Sequence, residues 1–226
     1  MFIRWAKLSV SVLLLTLNGS AAEKTLFSDA LDSPSAWFVE QMPGGQVKIG
    51  DGKMLIHDAK GCTVWFREKL KAPVSISYDA VVRSSARVSD LNCFWMASDP
   101  AHPEILFPSV PPRTGAFAEY DSLQLYYVGY GGNSNSTTRF RRYAGHGNKP
   151  LLPEHDLKSK PFLLEPDHIY HIEITARDGV AKFSRDGQEI FSFKDPQPLT
   201  AGWFGFRTVD SEIQITHFRI SEPDTP

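Results

Sequence analysis

The chain has 226 residues, 42 % hydrophobic and 12 % aromatic, with a formal net charge of −2. That length suits one large domain, and the ordinary apolar fraction argues against a disordered or low-complexity protein. The near-neutral balance lacks the basic excess of a nucleic-acid-binding domain, so no nucleic-acid partner is expected.

Residues 1–22 read as a secretory signal peptide. Arg4 and Lys7 form a charged start, Leu8 to Leu17 is an apolar run too short to span a bilayer comfortably, and Gly19-Ser20-Ala21-Ala22 supplies small residues for cleavage. No cysteine lies near that point, so a lipid anchor is not expected. Cleavage after Ala22 removes two of 24 basic residues and none of 26 acidic ones, leaving the mature chain near −4. The expected product is one domain, residues 23–226, periplasmic or secreted, with no membrane insertion after cleavage. In such a compartment Cys62 and Cys93 either pair or remain buried thiols, and both alternatives stand. Without a CxxC spacing, or an Asp-x-Asp loop for calcium, no metal and no cofactor are expected.

Along the mature chain, Leu26 to Phe38 is turn-rich, with Trp37-Phe38 as an apolar anchor. Gln46 to Ile49 and Met54 to His57 flank Gly50-Asp51-Gly52, a hairpin signal. A short strand begins at Val64. Val74 to Val82 alternates, with Val74, Ile76, Tyr78, Ala80 and Val82 on one face. Leu91 to Met96 is apolar on both faces, which predicts a central strand. Ala101 to Ala118, with Pro103, Pro108, Pro111 and Pro112, has no strand pattern, and a loop of that length in a compact domain is usually functional or mobile. Ser122 to Tyr130 and Thr137 to Tyr143 predict two strands joined by a Gly/Asn/Ser turn. A polar loop follows, His146 to Lys160. Ile169 to Thr175, Val180 to Ser184 and Gln188 to Phe193 are linked by two Asp-Gly turns into a meander. Gly202 to Arg207 and Ile213 to Ile220 close the chain. No segment has a capped helical period, so the expected class is all-β, a two-sheet sandwich.

The C-terminal third, with KFSRDGQEIFSF, GWFGFRT and HFRI, resembles concanavalin-like jelly rolls of carbohydrate-active proteins. Arg113-Thr114-Gly115, Glu119-Tyr120, Leu123 and Leu125, the arginine-rich return strand and Gly205-Phe206-Arg207 are similar to the YesU-like group of bacterial proteins. A looser likeness extends to keto-disaccharide hydrolase domains. The resemblance covers about residues 90 to 220 and implies a jelly roll in a setting of pectin or related polysaccharide breakdown. It implies no catalytic residue set.

The stretch Arg113 to Tyr143 carries the candidate chemistry. Rings stack on pyranose faces, and arginine grips carboxylates with two parallel hydrogen bonds. β-Elimination on a uronate needs its carboxylate neutralised, for which Arg139 and Arg141 are candidates, and two proton transfers, for which Tyr127, Tyr143, His146 and His155 are candidates. Alternation puts Arg139, Arg141 and Tyr143 on one face and Gln124, Tyr126 and Val128 on another. The leucines Leu123 and Leu125 are expected to face the core, which turns Gln124 and Tyr126 to the cleft. Arg139, Arg141, Tyr143, His155 and Tyr126 are thus the catalytic candidates. Arg113, Tyr120, Asp121, Gln124, Asn133, Asn135 and Arg207 are the substrate-binding ones, in a cleft on the concave sheet bordered by Ala101–Ala118 and His146–Lys160. A glucanase pair is harder to build: Glu119-x-Asp121 has the first two acids of a Glu-x-Asp-x-x-Glu motif, but Gln124 stands at the third. The expectation is an exported protein acting on an acidic or oxidised glycan. It leans to a polysaccharide lyase, with a keto-sugar hydrolase and a non-catalytic lectin as alternatives.

Overall fold

The computed structural model describes residues 24–109 and 111–222, so the expected signal peptide lies outside the described residues. Among these there are sixteen strands: β1 (Lys24–Ser28), β2 (Trp37–Gln41), β3 (Gln46–Gly50), β4 (Lys53–His57), β5 (Cys62–Phe66), β6 (Leu70–Lys71), β7 (Val74–Val82), β8 (Asn92–Ser98), β9 (Gln124–Gly131), β10 (Thr137–Ala144), β11 (Asp156–Leu157), β12 (Ile169–Arg177), β13 (Val180–Arg185), β14 (Gln188–Lys194), β15 (Ala201–Thr208) and β16 (Glu212–Glu222). They form two antiparallel sheets. One runs β14-β13-β12-β7-β16-β4-β3, with β1 also on β16; the other runs β11-β10-β9-β8-β15-β5-β2, with β6 also on β15.

Period-two apolar faces bring the two sheets together. Ile76 and Tyr78 of β7, Ile172 and Ile174 of β12 and Phe218 of β16 meet Val64, Trp95, Val128, Phe140 and Phe206 of the second sheet. Burial of this apolar surface is the main force holding the sandwich closed. The meander forms as its turns dictate: Asp178-Gly179 and Asp186-Gly187 all have positive φ, which type I′ hairpins require.

The second sheet is buried on both faces. On the side turned away from the first sheet lies a separate apolar cluster, Trp65, Phe94, Leu125, Tyr127, Tyr143 and Trp203, covered by Leu106, Tyr120 and Leu123 of the segment between β8 and β9. Gly205 belongs here: a Cβ at that position would fall 2.6 Å from the Trp65 ring, so the indole lies flat only because the strand carries no side chain there.

Cys62 and Cys93 are both free and buried. They flank β15, Cys62 opposite Thr208 and Cys93 opposite Phe206. Two strand spacings separate them, about 9–10 Å, beyond the reach of a disulfide. Of the two alternatives for these residues, the buried thiols are the one realised.

Candidate functional site

β9 and β10 pair with Arg141 opposite Tyr127, Arg139 opposite Gly129 and Tyr143 opposite Leu125. These six positions share the outer face of the second sheet. A cleft of about 230 Å³ opens over them, walled by Phe117, Lys149, Asp90 and the turn at Gly132 and Asn133. Phe117 comes from the proline-rich segment and Lys149 from the polar loop after β10.

The floor is aromatic. Tyr127 and Tyr143 meet edge to face at 5.8 Å, and Phe117 packs against Tyr127 at 5.6 Å. Gly129 leaves room for the tyrosine tip, since a Cβ there would strike Tyr127 Oη. Neither Tyr127 nor Tyr143 makes a side-chain hydrogen bond within the described protein, so both hydroxyls are available to a ligand. Burial pushes both phenols well above the ordinary tyrosine value. At Tyr127 the neighbouring Tyr143 and Asp90 add to this; at Tyr143 Asp121 adds, while Arg141 and Arg207 oppose. Both are therefore held protonated, as hydrogen-bond donors rather than bases.

The three cations at the cleft differ in their freedom. Arg139 Nε donates to Asp156 Oδ1 at 2.6 Å, and Lys149 Nζ donates to both Asp121 oxygens at 2.6 Å. Hydrogen bonds from Arg139 and then Lys158 hold the Asp156 carboxyl below the usual range. Arg141 donates Nη1 to the Lys149 carbonyl at 2.6 Å, and among the described residues it pairs with no carboxylate. It is the cation most open to an incoming anion. Asp90, the one carboxylate among the described residues that line the cleft, is engaged by Arg87, Ser89 and Asn92.

The turn between β9 and β10 is left-handed. Asn133, Ser134 and Asn135 have φ of 52°, 57° and 58°, each at about 1–2 kcal/mol for a non-glycine residue. Asn135 pins the turn by reciprocal bonds to the Leu164 backbone, both 2.8 Å. Asn133 donates to Thr137 Oγ1 and faces the cleft.

Several sequence-predicted residues stand elsewhere. Tyr126 points into the sandwich core, where its hydroxyl donates to Asp195 Oδ2 at 2.8 Å and accepts from the Leu199 amide at 3.1 Å. Gln124 shares that face, donating weakly to the Ala144 carbonyl. The expectation for this strand is therefore reversed: Leu125 and Tyr127 face the cleft side, because the covering segment supplies a second apolar layer for them. His155 is buried on the core side against Phe140, Phe191 and Phe193, not beside Arg139. Arg113 is fixed to Glu40 at 2.9 Å and to the Leu106 carbonyl at 2.7 Å, and Tyr120 donates to the same Glu40 at 2.9 Å. These two brace the covering segment. Asp121 holds Lys149, Asn135 holds the turn, and Arg207 lies buried beneath Phe117. Arg139, Arg141, Tyr143 and Asn133 do line the cleft. Phe117, Lys149, Asp90 and Gly129 were not singled out as ligand contacts from sequence. Tyr127, a proton-transfer candidate from sequence, does line the cleft, opposite Arg141.

No curated protein matches the sequence. A Bacillus subtilis protein of unknown function with a galectin-like fold superposes with a TM-score of 0.72 at 20 % identity, covering 90 % of this chain and 98 % of that one. The carbohydrate-binding module CBM66 from Bacillus subtilis gives 0.57 at 11 % identity over 82 % and 95 %. The endo-β-1,3-glucanase from Pyrococcus furiosus gives 0.56 at 10 % over 89 % and 95 %. At these identities the likeness is one of fold. A family model matches residues 56–218, and the chain belongs to that family, a domain of unknown function (DUF6250).

Proposed function

We propose that the protein is carbohydrate-active and holds an acidic glycan in the cleft over β9 and β10. One observation carries this reading: among the described residues, Arg141 has no carboxylate partner and stands beside two phenols whose hydroxyls make no hydrogen bond. A guanidinium, donor hydroxyls and ring faces together are the chemistry of a uronate site. The fold relatives include a carbohydrate-binding module and a glucanase, which fits a glycan ligand without fixing one. The likeness of Arg113-Thr114-Gly115 and Gly205-Phe206-Arg207 to the YesU-like group fits a setting of polysaccharide breakdown. Residues 1–22 make that setting the periplasm or the exterior.

Recognition is the function best supported. Hydrolysis by a carboxylate pair finds, among the described residues, only Asp90 in the cleft, already engaged by three neighbours. β-Elimination is the second reading, favoured by the phenols beside Arg141. In it Arg141 neutralises the uronate, Asp90 Oδ1, which accepts one hydrogen bond from Asn92, takes the C5 proton, and Tyr143 protonates the leaving oxygen. Incubation with uronic-acid polysaccharides, followed by ultraviolet absorbance and reducing-end assays, separates the readings. Retention on the glycan without product is the expected result. A rise in absorbance from an unsaturated product establishes elimination. Absence of binding to any acidic glycan refutes both.

A further inference from the structure

Arg207 stands on β15 opposite Asn92 of β8 and Thr63 of β5. It is fully buried, at 0 % exposure. Nη1 donates to Thr63 Oγ1 at 3.2 Å and to the Gly115 carbonyl. Nε and Nη2 meet no acceptor among the described residues, although both are sealed from solvent. Buried donors are almost always satisfied, and a buried guanidinium without a counter-charge is costly. The rings of Phe117 and Tyr120, 5.1 and 5.2 Å from the guanidinium carbon, offset only part of that cost.

The unsatisfied pair of nitrogens is a particular one. Nε and Nη2 form the side-on edge with which arginine meets a carboxylate through two parallel hydrogen bonds. Directly across from Arg207, Asn92 also keeps its Oδ1 without a partner in a buried position. Its Nδ2 donates to Asp90 Oδ1 at 3.2 Å, and Asp90 lines the cleft. Two donors and one acceptor thus wait on neighbouring strands, next to Phe117 and Asp90, which line the cleft. Two rings lie over the guanidinium: Tyr120, fully buried, and Phe117, 36 % exposed, which also meets Phe94, Tyr127 and Lys149.

Building on the acidic-glycan reading of the cleft, we infer that Arg207 and Asn92 form an inner subsite for the carboxylate of a uronic acid, covered by Phe117 in the free protein. Rotation of that one side chain opens it. The carboxylate then supplies the counter-charge and the two acceptors that Arg207 lacks, and Asn92 Oδ1 takes a sugar hydroxyl. Arg141 holds the anion on entry; Arg207 sets the preference for a free acid over its ester.

The test is calorimetric and kinetic binding of trigalacturonate and of its methyl ester to the wild type and to Arg141→Ala, Arg207→Lys, Asn92→Ala and Phe117→Ala. Lysine keeps the charge but not the fork. Arg207→Lys is therefore expected to cut the preference for acid over ester by about 10- to 100-fold, while Phe117→Ala speeds association of the acid. If Arg207 only anchors the loop through Gly115, Arg207→Lys weakens acid and ester equally, and the subsite is refuted. Should Arg207→Lys not fold, an unchanged association rate in Phe117→Ala together with an unchanged preference in Asn92→Ala refutes it. Wild-type protein that binds neither probe, or binding indifferent to Arg141→Ala, overturns the cleft reading itself, and the subsite with it.

Discussion

Arg141 and Arg142 are neighbours in the chain yet serve opposite faces of one sheet. Arg141 reaches the cleft and donates to the Lys149 carbonyl, whereas Arg142 Nε donates to the buried Asp195 at 3.2 Å. Asp195 also takes the Tyr126 hydroxyl, so this face ties β9, β10 and the segment after β14 together. Arg142→Ala leaves that carboxylate short of its counter-charge and is expected to lower stability by about 2–3 kcal/mol. Arg141→Ala removes one hydrogen bond to a carbonyl and is expected to change stability by about 1 kcal/mol or less, while abolishing acidic-glycan binding. Urea denaturation and binding titration of the two variants check this. Equal losses of stability would contradict the division of faces.

The free thiols give a second prediction. Burial first, then the nearby Asp58, pushes the Cys62 thiol far up, and burial pushes Cys93 up to about 12. Thiolate is the reactive form, so both residues are expected to resist a thiol-specific reagent in the native state and to react, two per chain, after denaturation. A reductant should leave the melting temperature unchanged. A native protein with no titratable thiol after unfolding would mean that the two are joined, and that β15 does not lie between β5 and β8.

Much of this architecture was legible because its cues are local. Val74 to Val82 and Ile169 to Thr175 alternate cleanly, and the two Asp-Gly turns fix the meander by backbone sterics alone. The double-sided apolar run at Leu91 to Met96 pointed to a central strand, and β8 is central. The site was less legible. Alternation shows that Tyr126 and Tyr127 face opposite ways, but not which way is in, because β9 is buried on both sides. The deciding fact is non-local: Leu106, Tyr120 and Leu123 fold back to make a second apolar layer over the outer face. His155 misled for a similar reason: in a polar loop it offered a proton-transfer group, but the loop packs it against Phe140.

Gly129 offers a third test. It lies opposite Arg139, and the Tyr127 ring reaches back over it. A methyl group there has to move a ring already held by Phe94, Phe117 and Tyr143. Gly129→Ala is expected to cost about 1–3 kcal/mol by overpacking and to weaken glycan binding by displacing the Tyr127 hydroxyl. Unfolding and binding measurements on this one variant suffice. Unchanged affinity would remove Tyr127 from the site.

His155 sets the pH behaviour. Its imidazole is buried among Phe140, Phe191 and Phe193, and burial pulls its pKa below the ordinary histidine value, with Glu154 opposing only in part. The unfolded chain therefore takes up the proton more readily than the folded one. This stabilising contribution is fully present above the unfolded value near 6.5 and is lost as pH falls below it. His155→Phe keeps a ring in the same apolar pocket and removes the titration. The difference between wild-type and variant melting temperatures should accordingly shift in the variant's favour on acidification below neutrality and stay constant above it, whatever the other histidines contribute to both. The next residue, Asp156, holds Arg139 at the cleft, so loosening at His155 reaches the site through one peptide bond. Acid should weaken glycan binding more in the wild type than in His155→Phe. A melting-temperature difference independent of pH would show that His155 is solvated in the native protein and that its segment does not close over the core.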